Sequence, residues 1–129
     1  MKYLLWIVQI LLAVAFVGAG AMKLLTPTAE LAQSMVWVND VPGWLVKLIG
    51  LAEVAGALGL ILPALTRIQP QLTALAAAGL ALVMLLAAFF HLSRGESALI
   101  VPNLVLLLLA AFVAYGRWKV LPIAPKNAS

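Results

Sequence analysis

The sequence has 129 residues, of which 66% are hydrophobic and 9% are charged. A soluble domain carries roughly 25% charged residues, so a chain this apolar must use lipid as its main solvent. Its length is that of one domain, its net charge is +4, and it contains no cysteine, which excludes disulfides, thiolate metal sites and cysteine redox chemistry.

The first apolar stretch covers residues 3–22 and predicts a transmembrane helix. Lys2, the apolar run and the small residues Ala19, Gly20 and Ala21 imitate a secretory signal peptide. The stretch is longer than a typical signal core, and about 20 apolar residues are enough to cross the hydrocarbon. We therefore expect it to remain in the protein as the first span.

A polar connection follows the first span. Thr26 and Pro27 predict a helix start, because Thr can cap a helix and Pro suits the first helical position. Glu30 falls in the first turn, where a negative charge suits the helix dipole. We expect a short helix over residues 27–38 that lies on the membrane surface.

Three more apolar stretches follow, and the four together use most of the chain. They predict transmembrane helices over residues 44–62, 72–90 and 98–115. The second span stops at Pro63, and residues 120–129 are expected to form a loosely ordered tail. The predicted fold class is all-α: a single transmembrane domain over residues 1–129, built as an integral membrane four-helix bundle with a short surface helix after the first span.

The Lys and Arg residues are divided unequally between the two sides of this bundle. The side that holds both termini carries Lys2, Arg67, Arg117, Lys119 and Lys126. The other side carries Lys23, Lys47 and Arg94. Because Lys and Arg are in excess on the cytoplasmic side, we expect both termini in the cytoplasm and the chain in a plasma (inner) membrane. The positive charge is thus attributed to membrane orientation and not to nucleic acid binding.

Glu53 is the clearest ionisable residue inside a span. It lies about nine residues into the second span, or about 13 Å deep at the rise of an α-helix. Gly50, Gly56 and Ala57 share its helical face and allow close approach of another helix, so Glu53 is expected to face the bundle interior. Each of the other three helices also carries one polar residue in the outer half of the bundle. These residues are Lys23, His91 and Asn103.

These four residues support a functional and a structural interpretation. An outer-facing apolar pocket with an acid, a base and an amide suits a small amphipathic ligand, such as a quinone or a lipid-like molecule. Glu53 would then be the catalytic residue that handles protons, and the ligand would be bound by Lys23, Glu53, His91 and Asn103. Alternatively, the cluster only holds the helices together, since interhelical polar contacts contribute roughly 0.6 to 2 kcal/mol.

The remaining polar residues and motifs narrow the chemistry. Gln9, in the inner half of the first helix, is interpreted as a packing residue, and Arg94 and Glu96 as a solvated turn. One His and one Glu are too few ligands for a metal site. No flavin, nicotinamide or haem motif is present, so any electron donor would be a bound ligand or a partner protein.

Two segments resemble the DoxX-like family of small four-helix membrane proteins. Residues 16–24, FVGAGAMKL, are similar to the Gly-rich end and Lys of that family's first helix. Residues 50–59, GLAEVAGALG, are similar to its second-helix Gly-x-x-Glu-x-x-Gly pattern, and His91 and Asn103 fit it too. The resemblance implies a four-helix membrane bundle, and some relatives are tied to quinone-linked or other membrane oxidoreductase systems.

Two functions remain open at this point. The first is a redox-linked membrane component that binds a quinone or another small apolar ligand in the outer half of the bundle. The second is a non-enzymatic membrane binding or assembly protein, whose polar cluster is structural. Its partner would be a second copy of the chain, in a homodimer, or a redox or membrane partner protein. Whether the chain is an enzyme is left open.

Overall fold

The computed structural model describes residues 1–125, so Lys126 and the end of the predicted tail lie outside the described residues. The described chain forms the α-helices α1 (Lys2–Leu25), α2 (Thr28–Ser34), α3 (Gly43–Thr66), α4 (Gln71–Ser93) and α5 (Ser97–Tyr115). A 3-10 turn (Val36–Asp40) follows α2, and a turn of π-helix (Gly116–Val120) follows α5. Helices account for 86% of the described residues, without a strand among them, which confirms the all-α fold class.

Four of these helices are long and apolar enough to cross a membrane: α1, α3, α4, and α5 together with its π-helical turn. Helices of 23 or 24 residues are about 35 Å long, slightly more than the hydrocarbon thickness. Their outer surfaces expose large apolar side chains, among them Ile10, Val14 and Leu108. Such a surface suits lipid, and the chain is an integral membrane protein.

The long helices run up and down, so the bundle has two distinct ends. The termini end holds the start of α1, the α3–α4 turn and the residues after α5; the connector end holds residues 26–42, here called the connector. α1 packs along α3, α3 along α4, and α4 along α5, whereas α1 and α5 touch less. The central core is formed by the buried side chains of Leu12, Phe16, Leu60, Leu80 and Val113.

The connector contains a shorter surface helix than residues 27–38. Pro27 occupies the N-cap position without a side-chain cap bond, and α2 ends at Ser34, because Met35 adopts a non-helical conformation (φ −118°, ψ 88°). In the 3-10 turn that follows, Val38 packs against Leu31 and Val46. The connector is therefore fixed to α3 by its own small apolar cluster.

α3 continues past Pro63 to Thr66, beyond the end of the predicted span. Proline removes one backbone donor from a helix and disfavours the turn before it, so the sequence favoured a stop there. The Thr66 hydroxyl donates to the carbonyl of Leu62 at 2.7 Å, which supports the extra turn. The helix ends at Arg67, which adopts a left-handed conformation (φ 60°).

The backbones of α1 and α3 approach each other closely at two glycines. A Cβ atom added at Gly20 would lie 2.6 Å from the carbonyl oxygen of Gly50, and one added at Gly50 would lie 2.8 Å from that of Gly20. Real Cβ atoms do not approach backbone oxygens so closely, so both positions require glycine. Small residues at such crossings allow the backbones of membrane helices to touch.

Replacing Gly20 by Ala is expected to destabilise the bundle by about 1–3 kcal/mol, the usual effect of overpacking. The new methyl group would push against the α3 backbone, which cannot rotate away as a side chain can. The measurement is the thermal unfolding midpoint in detergent. Gly18→Ala is the matched control, because a Cβ there meets nothing within 4 Å. Equal midpoints for the two variants would contradict the close α1–α3 contact.

Candidate functional site

Glu53 forms a buried ion pair with Lys23. The Lys23 Nζ atom lies 2.8 Å from Glu53 Oε1, and the two side chains are 10% and 4% exposed. The pair lies beside the Gly20–Gly50 contact, which brings α1 and α3 close enough for the two groups to meet.

A second lysine closes the end of α1. The Nζ atom of Lys47 donates to the carbonyl oxygens of Lys23 at 2.6 Å and Thr26 at 2.7 Å. The last carbonyls of a helix have no partner within the helix, and a cation there also suits the helix dipole. Lys47 therefore caps α1 from α3. From the sequence, Lys47 was expected only to add to the positive charge on one side of the membrane.

His91 makes its hydrogen bond with Glu96 and not with Glu53. Its Nδ1 atom lies 3.1 Å from Glu96 Oε1, and its ring makes edge contacts with Trp37 and Phe90. Because Trp37 belongs to the connector, His91 holds the connector against the end of α4. The structure thus brings together Lys23 and Glu53, but it gives His91 different partners.

Arg94 and Glu96, predicted to form a solvated turn, are partly exposed and are hydrogen-bonded to each other. Arg94 Nε donates to Glu96 Oε1 at 2.7 Å, and Arg94 also pairs with Asp40 of the connector. The hydrogen bond from His91, and next that from Arg94, lower the pKa of the Glu96 carboxyl below its usual value. The same network raises the pKa of Arg94, chiefly through Glu96 and then Asp40.

Asn103 is partly buried on α5, and its Nδ2 atom is buried without an acceptor among the described residues. A cavity of about 210 Å³ lies under the connector, and another of about 440 Å³ lies at the termini end. Neither cavity is lined by the four predicted site residues, Lys23, Glu53, His91 and Asn103.

A second buried polar group lies near the termini end. Gln9 is fully buried, and its Nε2 atom donates to the carbonyl of Leu60 at 2.8 Å. Arg117 Nε donates to Gln9 Oε1 at 2.6 Å. Gln9 therefore has a packing role, as predicted, but its pairing with Arg117 was missed. One feature of the sequence could have indicated this pairing: Gln9 is the single amide side chain of α1 and lies at about the same depth in the membrane as Arg117, which follows α5.

The fold defines a small integral membrane protein, a four-helix bundle. Inside the bundle, Lys23 is paired with Glu53 and Arg117 with Gln9. The sequence profile of the DoxX-like family matches residues 7–113. The chain belongs to the DoxX-like family, which confirms the resemblance seen in the first two helices. Comparisons with curated proteins and with solved structures found no match.

Acidification is expected to weaken the connector end through Glu96. Because the folded pKa of Glu96 is depressed, its stabilising effect is present above the ordinary value of 4.5 and is lost as the pH falls through the folded pKa. The measurement is the difference in unfolding midpoint between the wild type and Glu96→Gln, from neutral pH to below 4.5.

This difference cancels the titration of the other carboxyl groups, which both proteins share. The wild type should be more stable at neutral pH, and the two midpoints should converge in acid. Glu30→Gln, at an exposed position in α2, is the control and should follow the wild type throughout. A constant gap between wild type and Glu96→Gln would contradict the role given to the Glu96 carboxylate.

Proposed function

We propose that this DoxX-like membrane protein is a non-enzymatic binding or assembly protein and that its Lys23–Glu53 pair is structural. The observation that carries the proposal is the closed ion pair, with 2.8 Å between Lys23 Nζ and Glu53 Oε1 and little exposure of either side chain. Each charge balances the other where lipid offers no counter-ion. A proton-handling carboxylate needs access to its substrate, and this one is occupied.

The packing around the pair supports the same proposal. A Cβ atom on Gly50 would lie 2.8 Å from the Cβ atom of Lys23, so the backbone of α3 lies directly against the base of this side chain. The two cavities described above are lined by other residues. These surroundings fit a structural contact between α1 and α3 better than the wall of a substrate pocket.

The partner in this proposal is a second copy of the chain, in a homodimer, or another membrane protein. The glycines of α3 are already used within the bundle: Gly50 contacts α1, Gly56 contacts Leu80 of α4, and Gly59 contacts Ala76 of α4. α5 is the long helix that the rest of the bundle buries least. In its apolar membrane-spanning segment 11% is buried, against 28–39% in the segments of the other three long helices. α5 therefore offers an apolar face to a partner.

We further propose that both termini are cytoplasmic and that the membrane is a plasma (inner) membrane. The cations of the termini end include Lys2, Arg67, Arg117 and Lys119. The connector end carries three, and its Lys23 and Arg94 are neutralised in ion pairs. The uncompensated positive charge is thus concentrated where the cytoplasm is expected.

A second candidate function is a redox-linked component that binds a quinone or similar apolar ligand in the connector half. One observation favours it, namely the buried Nδ2 donor of Asn103 without an acceptor among the residues described. A quinone carbonyl would accept from such a donor, whereas unpaired buried donors are costly. In this candidate Asn103 binds the ligand head, and Lys23, Glu53 and His91 support it.

A double-mutant cycle on Lys23 and Glu53 tests the structural role. Glu53→Gln or Lys23→Met alone should cost about 3–5 kcal/mol of unfolding free energy, because each leaves a buried charge without its partner. The double variant should recover most of this loss. The free energy of unfolding in detergent is the readout, and Glu30→Gln is the surface control. A single Glu53→Gln variant as stable as the wild type would contradict the proposal and favour a functional carboxylate.

Extraction of the purified protein, followed by mass analysis and by titration with added quinone, tests the second candidate. If Asn103 holds a quinone carbonyl, Asn103→Leu should weaken binding by about tenfold, the loss of one hydrogen bond of about 1.4 kcal/mol. Gln33→Leu, an amide substitution at an exposed position of α2 outside both cavity linings, should have no effect. Absence of both a bound small molecule and quinone binding in vitro would rule this candidate out.

A further inference from the structure

The cavity of about 440 Å³ at the termini end combines positive charge with apolar walls. Its cationic lining residues are Lys2, Arg67 and Arg117. Its apolar lining includes Trp6, Leu65 and Ile123. A ligand for this cavity would need a negative group and an apolar part.

Arg117 is held in place by three contacts. Its Nε atom donates to Gln9 Oε1 at 2.6 Å, and its Nη1 atom donates to the Leu121 carbonyl at 3.0 Å. Its guanidinium group also lies 5.5 Å from the ring centroid of Trp6, in a cation–π contact. Gln9 is itself anchored to Leu60. The guanidinium group is therefore fixed in orientation before any ligand arrives.

One donor of Arg117 remains unused. The Nη2 atom is buried and has no acceptor in the described part of the chain. The residue as a whole is only 6% exposed, and a nearly buried guanidinium without a counter-ion is unfavourable. The turn of π-helix at Gly116–Val120 carries this side chain.

The sequence offers no carboxylate side chain to neutralise Arg117. All four Asp and Glu residues belong to the connector half: Glu30, Asp40, Glu53 and Glu96. Among the described residues, each of the last three is paired there with Lys23 or Arg94. Within residues 1–125, no carboxylate side chain therefore balances the positive charge around the cavity.

We propose that this cavity binds an anionic phosphate group, with a phospholipid headgroup and a soluble phosphate as the two sources that the experiment separates. The unused Nη2 donor of Arg117 suits a phosphate oxygen, and Arg67 and Lys2 add further cations at the rim. The apolar walls fit the glycerol and upper acyl region of a lipid. Basic pockets between membrane helices bind such headgroups in other proteins.

The site lies at the opposite end of the bundle from Lys23 and Glu53. Failure of the phosphate site would therefore leave the proposed structural role of that pair untouched, and the reverse is also true. The inference goes beyond the proposed function, because it assigns a ligand class to residues that the function does not use.

The test is native mass spectrometry and thermal unfolding of the full chain in detergent. The added probes are phosphatidylglycerol, phosphatidylcholine and inorganic phosphate. We expect phosphatidylglycerol to bind and to raise the unfolding midpoint most. Lys2→Gln and Arg67→Gln should each weaken its binding about fivefold, the factor that corresponds to about 1 kcal/mol per cation near anionic lipid. Arg117→Gln should abolish binding.

Lys119→Gln is the matched control, because it removes the same charge at the same end from an exposed residue outside the cavity lining. It should bind as the wild type does. Equal losses in Lys119→Gln, Lys2→Gln and Arg67→Gln would mean general charge attraction and would overturn the site. An equal, cavity-dependent response to inorganic phosphate would support the site with a soluble source. No response to either anionic probe would overturn it.

The exposed positions of Lys2 and Arg67 keep the test independent of the folding of Arg117→Gln. If that variant unfolds because Gln9 loses its partner, the two rim variants still report on the cavity. Wild-type affinity in both rim variants, with phosphatidylglycerol bound, would overturn the assignment of the ligand to this cavity.

Discussion

The close contact of α1 with α3 is the interaction on which the connector half depends. Lipid supplies neither counter-ions nor hydrogen-bond partners, so Lys23 and Glu53 are tolerated in the interior because they meet at 2.8 Å. They meet because Gly20 and Gly50 let the two backbones touch. Lys47 reaches the end of α1 across the same contact. Because neither glycine has a side chain, the two helices lie close enough for Lys23 and Glu53 to pair.

The two ends of the bundle treat charge differently. At the connector end, the Lys23–Glu53 pair and the network around Arg94 match cations with carboxylates of the protein. The termini end has cations and no carboxylate side chain, and the contacts of its buried Arg117 among the described residues are all with neutral groups: the Gln9 amide, the Leu121 carbonyl and the Trp6 ring. Lys23 and Arg94 at the connector end are therefore paired with carboxylates, whereas the excess positive charge at the termini end favours the binding of anions.

Much of the candidate site could be predicted, because some signals are local. Glu53 on a glycine-rich helix face and Lys23 at the end of α1 were predicted to lie in one polar cluster, and the structure brings these two together. His91 was placed in the same cluster by depth alone. Depth in the membrane does not fix the direction of a side chain around a helix, and a carboxylate only five residues away, on Glu96, satisfies His91 first.

The sequence by itself determined four apolar helices, the family and the membrane as solvent, because apolar length and composition are properties of each segment alone. The tertiary structure decided which polar groups pair, since pairing depends on helix rotation and on turns such as the π-helical turn after α5. Gln9 and Arg117 are 108 positions apart and still share a hydrogen bond. That contact exists because α1 and the end of α5 meet in the folded bundle, which no local pattern specifies.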